Sequence, residues 1–182
     1  MFKRIQYIDD LMLNWVGRLH SPILNKIMIV ISMLGTKGTI WILLCIPFVL
    51  NPKTMVTGVN FLVAIGITSA FGEGLIKHLV CRIRPCHKLE DEYLIVKRPG
   101  FYSFPSGHTA SSFSVLAVAL LRCEADLCIS IFIIAFLISF SRLYLRVHYL
   151  TDVLCGMVLG LLCGTFSVTI MDRLIISILF RA

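Results

Sequence analysis

The sequence predicts an all-α integral membrane helical bundle of about five to six helices with an N-terminal interfacial helix. Composition is the first reason: 58% of the 182 residues are hydrophobic, 15% are charged and the mean hydropathy is +0.90. A soluble domain has about 45–50% apolar and about 25% charged residues. The second reason is that several apolar stretches approach the ~20 residues that cross a bilayer. We therefore expect one membrane-embedded domain over residues 1–182.

Residues 1–20 predict a helix that lies in the membrane interface. Their apolar side chains recur at helical spacing without forming an uninterrupted span, and no small-residue cleavage site of a signal peptide follows. These apolar residues are Ile5, Ile8, Leu11, Met12 and Trp15. We expect Trp15 and Trp41 to anchor at the interface, as tryptophan commonly does.

Residues 23–50 are apolar but are interrupted at 35–38, so they form either one broken span or a surface helix followed by a short span. The segment 54–81 predicts a long span, and a polar, proline-containing loop follows it. Gly58, Gly66, Gly72 and Gly74 are expected to be its close-packing points. The remaining predicted elements are the loop 82–105, a helix over 106–121, and spans over 127–144 and 147–170.

The net charge of +7 results from 17 Lys and Arg against 10 Asp and Glu. The basic residues lie largely between apolar runs, and no nucleic-acid motif is present. This placement favours anionic headgroups or a phosphorylated substrate as the partner. Seven cysteines occur, none in a zinc-type CxxC pair, and most are expected to be buried free thiols. Cys81 and Cys86 flank a basic turn, so their pairing stays open.

Three polar clusters fall on one predicted membrane face. The first runs from Lys77 to Arg84 and Pro85, at the end of a span. The second is Pro105-Ser106-Gly107-His108, which opens the next helix, and the third contains Ser141, Arg142, His148 and Asp152. Taken singly, such residues often only cap helices or extend to the interface. Their convergence on one face instead indicates a functional site.

Each cluster suits one part of phosphate chemistry. A helix that begins at Ser106 and Gly107 offers free N–H groups to a phosphate, and Lys77, Arg84 and Arg142 would neutralise its charge. His148 and Asp152, four residues apart, would share a helix face, so the carboxylate can orient the imidazole for attack on phosphorus.

His108 would protonate the departing oxygen. Among the other polar residues, Glu73 is expected to form a structural salt bridge with Lys77. Arg82 and Arg146 are expected at lipid headgroups or a second phosphate.

The pattern K-x6-R-P, P-S-G-H and S-R-x5-H-x3-D resembles the tripartite signature of the type 2 phosphatidic acid phosphatase family, without departure at any signature position. The resemblance implies a helical bundle, a phosphohistidine at His148, a general acid at His108 and no catalytic metal or cofactor. It also implies an integral membrane lipid phosphatase of the bacterial cell envelope. By family analogy the favoured substrate is undecaprenyl diphosphate, with phosphatidylglycerophosphate or phosphatidate as alternatives. A non-catalytic protein that binds or transports a lipid phosphate is the alternative class.

The charge pattern does not fix the orientation of this site in the membrane. A literal count of basic residues places the three clusters in the cytoplasm, because the opposite face carries only Lys53, Arg122, Arg173 and Arg181. Phosphate binding accounts for several charges of the first face, however. Bacterial relatives mostly face outward, so we expect the site on the outer face.

Overall fold

The computed structural model describes residues 2–179, which are mostly helical and contain no β-strand; Arg181 lies outside them. This architecture confirms the predicted all-α fold. The helices are α1 (Phe2–Gly17), α2 (Pro22–Leu34), α3 (Thr39–Leu50), α4 (Met55–Ser69), α5 (Lys77–Val80), α6 (Gly107–Arg122), α7 (Ala125–Tyr144) and α8 (Leu150–Leu179). A π-helical segment, Ala70–Ile76, joins α4 to α5 in one continuous helix.

Three helices of the described chain are long and apolar enough to cross a membrane: Met55–Val80, Ala125–Tyr144 and Leu150–Ser177. The pair α2 and α3 qualifies jointly as a fourth, bent by 47° at its break. The bend lies where the sequence predicts an interruption, and Lys37 and Gly38 there have positive φ angles of 53° and 71°. The chain is therefore a multi-pass membrane protein.

The N-terminal helix α1 packs its buried side against α7 and α8. Tyr7, Ile8, Leu11 and Trp15 are at least half exposed on its other side. A helix with one apolar face turned outward and one docked on the protein fits the predicted interfacial position.

The prediction that Trp41 anchors at the interface is wrong. Its side chain is only 1% exposed and donates a hydrogen bond of 2.9 Å from Nε1 to the Ser112 hydroxyl of α6. Because α6 supplies a partner for the indole N–H, the ring can be buried completely.

The centre of the bundle is α6, which packs against α4, α7 and α8. Three glycines of α8, at positions 156, 160 and 164, face it. A Cβ added to Gly156 would lie 2.8 Å from the Ser106 carbonyl oxygen, and one on Gly160 would lie 2.9 Å from the Ser114 nitrogen. The two backbones therefore touch without intervening side chains, as small residues permit in membrane helices.

The glycines predicted to allow close packing in the long helix divide into two pairs. A Cβ on Gly58 would lie 2.7 Å from the Val49 nitrogen of α3, and one on Gly72 would lie 3.2 Å from Leu159 of α8. A Cβ on Gly66 would meet nothing within 4 Å, and one on Gly74 would approach only Ser69 of the same helix. The prediction is confirmed for the first two and wrong for the others.

The last helix begins at Leu150, three residues later than the sequence predicts, and extends beyond residue 170. Residues 145–149 form a turn in which the N–H groups of Val147 and His148 both donate to the Arg142 carbonyl, at 3.2 and 3.3 Å. This turn places His148 between two helices rather than on one.

Candidate active site

A cavity of about 410 Å³ lies between the α2–α3 break, the helix Met55–Val80, the start of α6 and the turn before α8. Six of the eight predicted site residues line it, and these are Lys77, Arg84, Gly107, His108, Arg142 and His148. Ser106 and Asp152 lie directly behind the lining and bond each other, since the Ser106 N–H donates to the Asp152 carbonyl at 3.0 Å. The three sequence clusters thus meet in one place.

His148 is 1% exposed and its Nε2 atom lies 2.7 Å from the Arg84 guanidinium. Because a guanidinium can only donate hydrogen bonds, Nε2 must hold a lone pair and Nδ1 must carry the proton of the neutral ring. Burial, and then the charges of Arg84 and Arg142, lower the pKa of His148 well below its ordinary value. The imidazole is therefore neutral at neutral pH, with the lone pair of Nε2 directed at the Arg84 guanidinium.

Asp152 is completely buried in the first turn of α8. Its Oδ2 atom accepts a hydrogen bond of 2.8 Å from the Tyr149 N–H and lies 3.7 Å from His148 Nδ1. That second separation exceeds hydrogen-bond length, so the carboxylate faces the imidazole as a charge. A negative charge at this position stabilises the imidazole when Nε2 becomes positively polarised.

The signature arginines of the cavity are bonded to neutral groups. Arg84 donates to the carbonyl oxygens of Gly100 and Val147, at 2.6 and 2.9 Å, and Arg142 donates to the Ser32 hydroxyl. Neither forms a salt bridge with a carboxylate of the described chain. Their charges remain available to an anion that enters the cavity.

The third signature cation, Lys77, is held by Glu73. Its Nζ atom lies 2.5 Å from Glu73 Oε2, which confirms the salt bridge that the sequence predicts. The Glu73 carboxylate fills the space where a Cβ of Gly107 would stand. Glycine at this position thus lets the side chain of Glu73 approach the beginning of α6.

At that helix start, Ser106 is the N-cap residue but its side chain makes no capping hydrogen bond. Its buried hydroxyl instead accepts from Thr109 Oγ1 at 3.0 Å, so it is turned away from the cavity lining. Gly107 and His108 line the cavity, and the N–H groups of a first helical turn have no partner within the helix. Backbone groups at this terminus are therefore better placed for phosphate than the Ser106 side chain.

His108 also lines the cavity, and its Nε2 atom is buried without a hydrogen-bond partner in the described chain. A buried polar atom without a partner in the protein is costly, so this nitrogen can accept a hydrogen bond from, or donate one to, a group that enters the cavity. The cavity thus presents two histidines to one bound group: the Nε2 lone pair of His148 accepts from Arg84, and His108 Nε2 has no partner in the described chain. This pair can divide nucleophilic attack from proton transfer.

Sequence reasoning missed Lys37, which lines the cavity from the α2–α3 break. Its only sequence signal is the interruption of an apolar stretch, which does not place the break near the other clusters. Cys81 and Cys86 are free thiols, the first exposed and the second buried.

The expectation that Arg82 contacts headgroups is wrong. Its guanidinium instead bridges Asp9 Oδ2 at 2.6 Å and Asp152 Oδ1 at 2.7 Å. The partner Asp9 belongs to α1, more than 70 residues away in the chain, so no local pattern could reveal the pairing.

Two histidines, three cations and an open helix N-terminus around one cavity of a multi-pass helical bundle are the arrangement expected of a membrane phosphatase that acts on lipid phosphates. The model of the PAP2 superfamily matches residues 57–176. The chain belongs to the PAP2 superfamily, whose membrane members are lipid phosphatases.

Three similar proteins agree with this membership. The chain is 30% identical to an undecaprenyl-diphosphatase of Sulfolobus acidocaldarius, over 81% of this chain and 70% of the relative. It is also 30% identical to a lipid A 4'-phosphatase of Bacteroides thetaiotaomicron, over 88% and 75%. The crystal structure of a transmembrane PAP2-type phosphatidylglycerolphosphate phosphatase from Bacillus subtilis superposes with a TM-score of 0.75 at 27% identity, covering 93% of this chain and 87% of that one.

Proposed function

We propose that this membrane lipid phosphatase hydrolyses undecaprenyl diphosphate to undecaprenyl phosphate through a phosphohistidine at His148. The observation that supports the diphosphate is the charge of the cavity. Besides the signature cations Lys77, Arg84 and Arg142 it contains Lys37, and among the described residues Glu73 is the only acidic one in its lining. A lipid diphosphate carries more negative charge than a monophosphate, so a further cation favours it.

The reaction needs two displacements at phosphorus. Burial, and then the charge of Arg142, lower the pKa of His108 to about 2 in the ligand-free protein, so His108 takes up its proton together with the anionic lipid. In the first displacement, His148 Nε2 attacks the terminal phosphorus, the bond to the bridging oxygen breaks, and His108 gives this proton to that oxygen. In the second, a water molecule gives a proton to His108 and attacks the same phosphorus, and the P–N bond breaks to release phosphate. Arg84 and Arg142 bind the phosphoryl oxygens, and Asp152 faces the charged ring of the intermediate.

Neither of these two displacements requires a metal ion. The groups that surround His148 Nε2 are cationic, and cations at these positions oppose the binding of Mg²⁺ or Zn²⁺. We therefore expect phosphate release to continue in the presence of EDTA.

The test is phosphate release by the full chain in detergent with EDTA. Undecaprenyl diphosphate, phosphatidylglycerophosphate, phosphatidate and lipid A are compared side by side, and undecaprenyl diphosphate should have the highest kcat/KM. A faster monophosphate would replace the proposed substrate and leave the mechanism intact. No release from any of the four would favour the alternative class, a protein that binds or transports the lipid without hydrolysing it.

A matched pair of variants tests the role of Lys37. Lys37→Gln should lower kcat/KM for the diphosphate by about 10-fold, the scale of one charge-assisted hydrogen bond, and leave monophosphates almost unchanged. Lys26→Gln on α2, exposed and outside the cavity lining, is the control. Equal losses on both substrate types would remove Lys37 from the choice of headgroup.

The site is proposed to face the outer side of the membrane. Glu92 lies in the loop of the site face and is exposed, so a cysteine placed there reports the orientation. In intact cells, Glu92→Cys in a Cys81→Ser background should react with an impermeant maleimide. Labelling only after permeabilisation would place the site in the cytoplasm.

A further inference from the structure

The N-terminal helix α1 carries two adjacent aspartates in different surroundings. Asp9 is completely buried, whereas Asp10 is exposed and accepts a hydrogen bond of 2.8 Å from Gln6 of the same helix. Both precede residues 57–176, the part that matches the family model. A buried carboxylate is costly unless it is paired, so the partners of Asp9 are informative.

The first partner of Asp9 is the beginning of α8. Asp9 Oδ1 accepts from the Thr151 N–H at 2.9 Å, and Oδ2 accepts from the Thr151 hydroxyl at 2.7 Å. The first N–H groups of a helix have no partner within it, and its N-terminus attracts negative charge. Asp9 thus caps α8 from another helix and fixes the turn that carries His148.

The second partner is Arg82, which joins Asp9 to the catalytic carboxylate. One guanidinium nitrogen lies 2.6 Å from Asp9 Oδ2, and the other lies 2.7 Å from Asp152 Oδ1. The guanidinium also stacks on the Tyr149 ring, 3.9 Å from its centroid. Both oxygens of Asp152 are therefore engaged, Oδ1 by Arg82 and Oδ2 by the Tyr149 N–H.

The charges of Asp152, Arg82 and Asp9 together explain what the second carboxylate, that of Asp9, contributes. Asp152 and Arg82 alone form a neutral pair, which would leave little net negative charge beside His148. Asp9 adds a second negative charge to the same guanidinium, so the three groups together carry a net negative charge. The phosphorylated imidazole, which is positively polarised, then faces an excess of negative charge from the side of Nδ1.

We propose that Asp9 is a positioning residue of the active site: through Arg82 and Thr151 it holds Asp152 and His148 in place and keeps the charge behind the imidazole negative. This inference rests on the proposed role of His148 as nucleophile. The N-terminal helix α1 would then position the active site in addition to lying in the membrane interface.

The experiment compares Asp9→Asn with Asp10→Asn in the full chain in detergent. Asp9→Asn should lower kcat by about 100-fold, the scale of a small displacement of a catalytic group, with KM changed less than about 3-fold. Asp10→Asn should behave as the unsubstituted protein. In protein labelled with ¹⁵N-histidine, the His148 ring resonances, assigned with His148→Gln, should shift in Asp9→Asn and not in Asp10→Asn.

The NMR arm needs no turnover, so it separates the two proposals. Suppose that the His148 resonances shift in Asp9→Asn but the unsubstituted protein hydrolyses none of the lipids. This result would support the contact network of Asp9 and reject the proposed function. If Asp9→Asn does not fold, Thr151→Val is the second variant. It removes only the contacts of the Thr151 hydroxyl with Asp9 and Arg82 and should also lower kcat. A lower Tm with unchanged kcat and unchanged His148 resonances would overturn the proposal and leave Asp9 as a structural tether.

Discussion

Arginines at the two ends of the helical bundle have different kinds of partner. At the end away from the cavity, Arg122 donates to Asn60 Oδ1 at 2.9 Å and forms a salt bridge with Asp172. At the cavity end, Arg84 and Arg142 donate to carbonyl and hydroxyl oxygens and to the His148 ring, and neither contacts a carboxylate of the described residues. Arg122 therefore joins α6 to α4 and α8, whereas the charges of Arg84 and Arg142 have no carboxylate partner in the described chain.

Arg82 shows that an arginine close to the cavity can still have carboxylate partners. It lies close to Arg84 in the chain but has two carboxylate partners, and it does not line the cavity. It therefore resembles Arg122 in its chemistry. Charge compensation thus groups Arg82 with Arg122 and separates both from Arg84 and Arg142, the two arginines proposed to bind phosphate.

The largest effect should come from the nucleophile. His148→Ala should lower kcat by at least about 10⁴-fold, because no other group of the cavity can replace the attacking nitrogen. The fold should persist, since the Arg84 guanidinium that His148 Nε2 contacts also donates to the carbonyl oxygens of Gly100 and Val147. Phosphate release and Tm measured on the same preparation check this, and substantial remaining activity would remove His148 from its role.

A smaller but still large effect is expected for the carboxylate behind the ring. Asp152→Asn should lower kcat by about 10²- to 10⁴-fold, because the amide keeps the shape of the side chain but removes the charge that faces Nδ1. Rate measurements with KM determined separately distinguish this from weaker binding. Activity close to that of the unsubstituted protein would leave Asp152 only the role of capping α8.

The uncompensated charge of the cavity should be visible in the titration of His148. Burial and the cations Arg84 and Arg142 disfavour the imidazolium, so the pKa of His148 lies below its ordinary value and the ring stays neutral as the pH falls through 6.5. Arg84→Gln removes one of these charges and should raise that pKa. A ¹⁵N-histidine NMR titration of the ligand-free protein measures the pKa of His148 with and without the substitution. A lower pKa in Arg84→Gln would contradict the idea that the Arg84 charge is uncompensated.

The smallest effect is expected at the opposite end. Arg122→Gln should destabilise the fold by about 1 kcal/mol, since it loses a partly exposed salt bridge and weakens the bond to buried Asn60. The kcat should remain within about 2-fold, because the site lies at the other end of α6. Thermal unfolding and phosphate release in detergent test the pair of expectations, and a large loss of activity would mean that the two ends are coupled.

The sequence predicts the part of the site that depends on local spacing. Lys77 lies in the last turn of one helix and Arg84 lies four residues beyond its end, at Val80. Gly107 and His108 begin the next helix and His148 stands before the last, so their common face follows from counting turns. The fold class follows from hydropathy in the same way. Both rest on residues that are close together in the chain.

The remainder depends on contacts between distant segments. Asp9 meets Arg82 and Thr151, Trp41 meets Ser112, and Lys37 reaches the cavity only because α2 and α3 bend at their break. A single sequence contains the residue types for these contacts but not their partners, since hydrophobic periodicity determines which face is buried and not what it packs against.

The contact between α6 and α8 has a consequence for the synthesis of this enzyme. His148 and Asp152 are translated before most of α8, yet the glycines that seat this helix on α6 extend to position 164. A nascent chain that ends near residue 152 contains every signature residue. It lacks most of α8, whose contact with α6 holds His148 and Asp152 against the other signature residues. Catalytic competence should therefore arise only when α8 has inserted into the bilayer, so that an unfinished chain does not consume lipid phosphates.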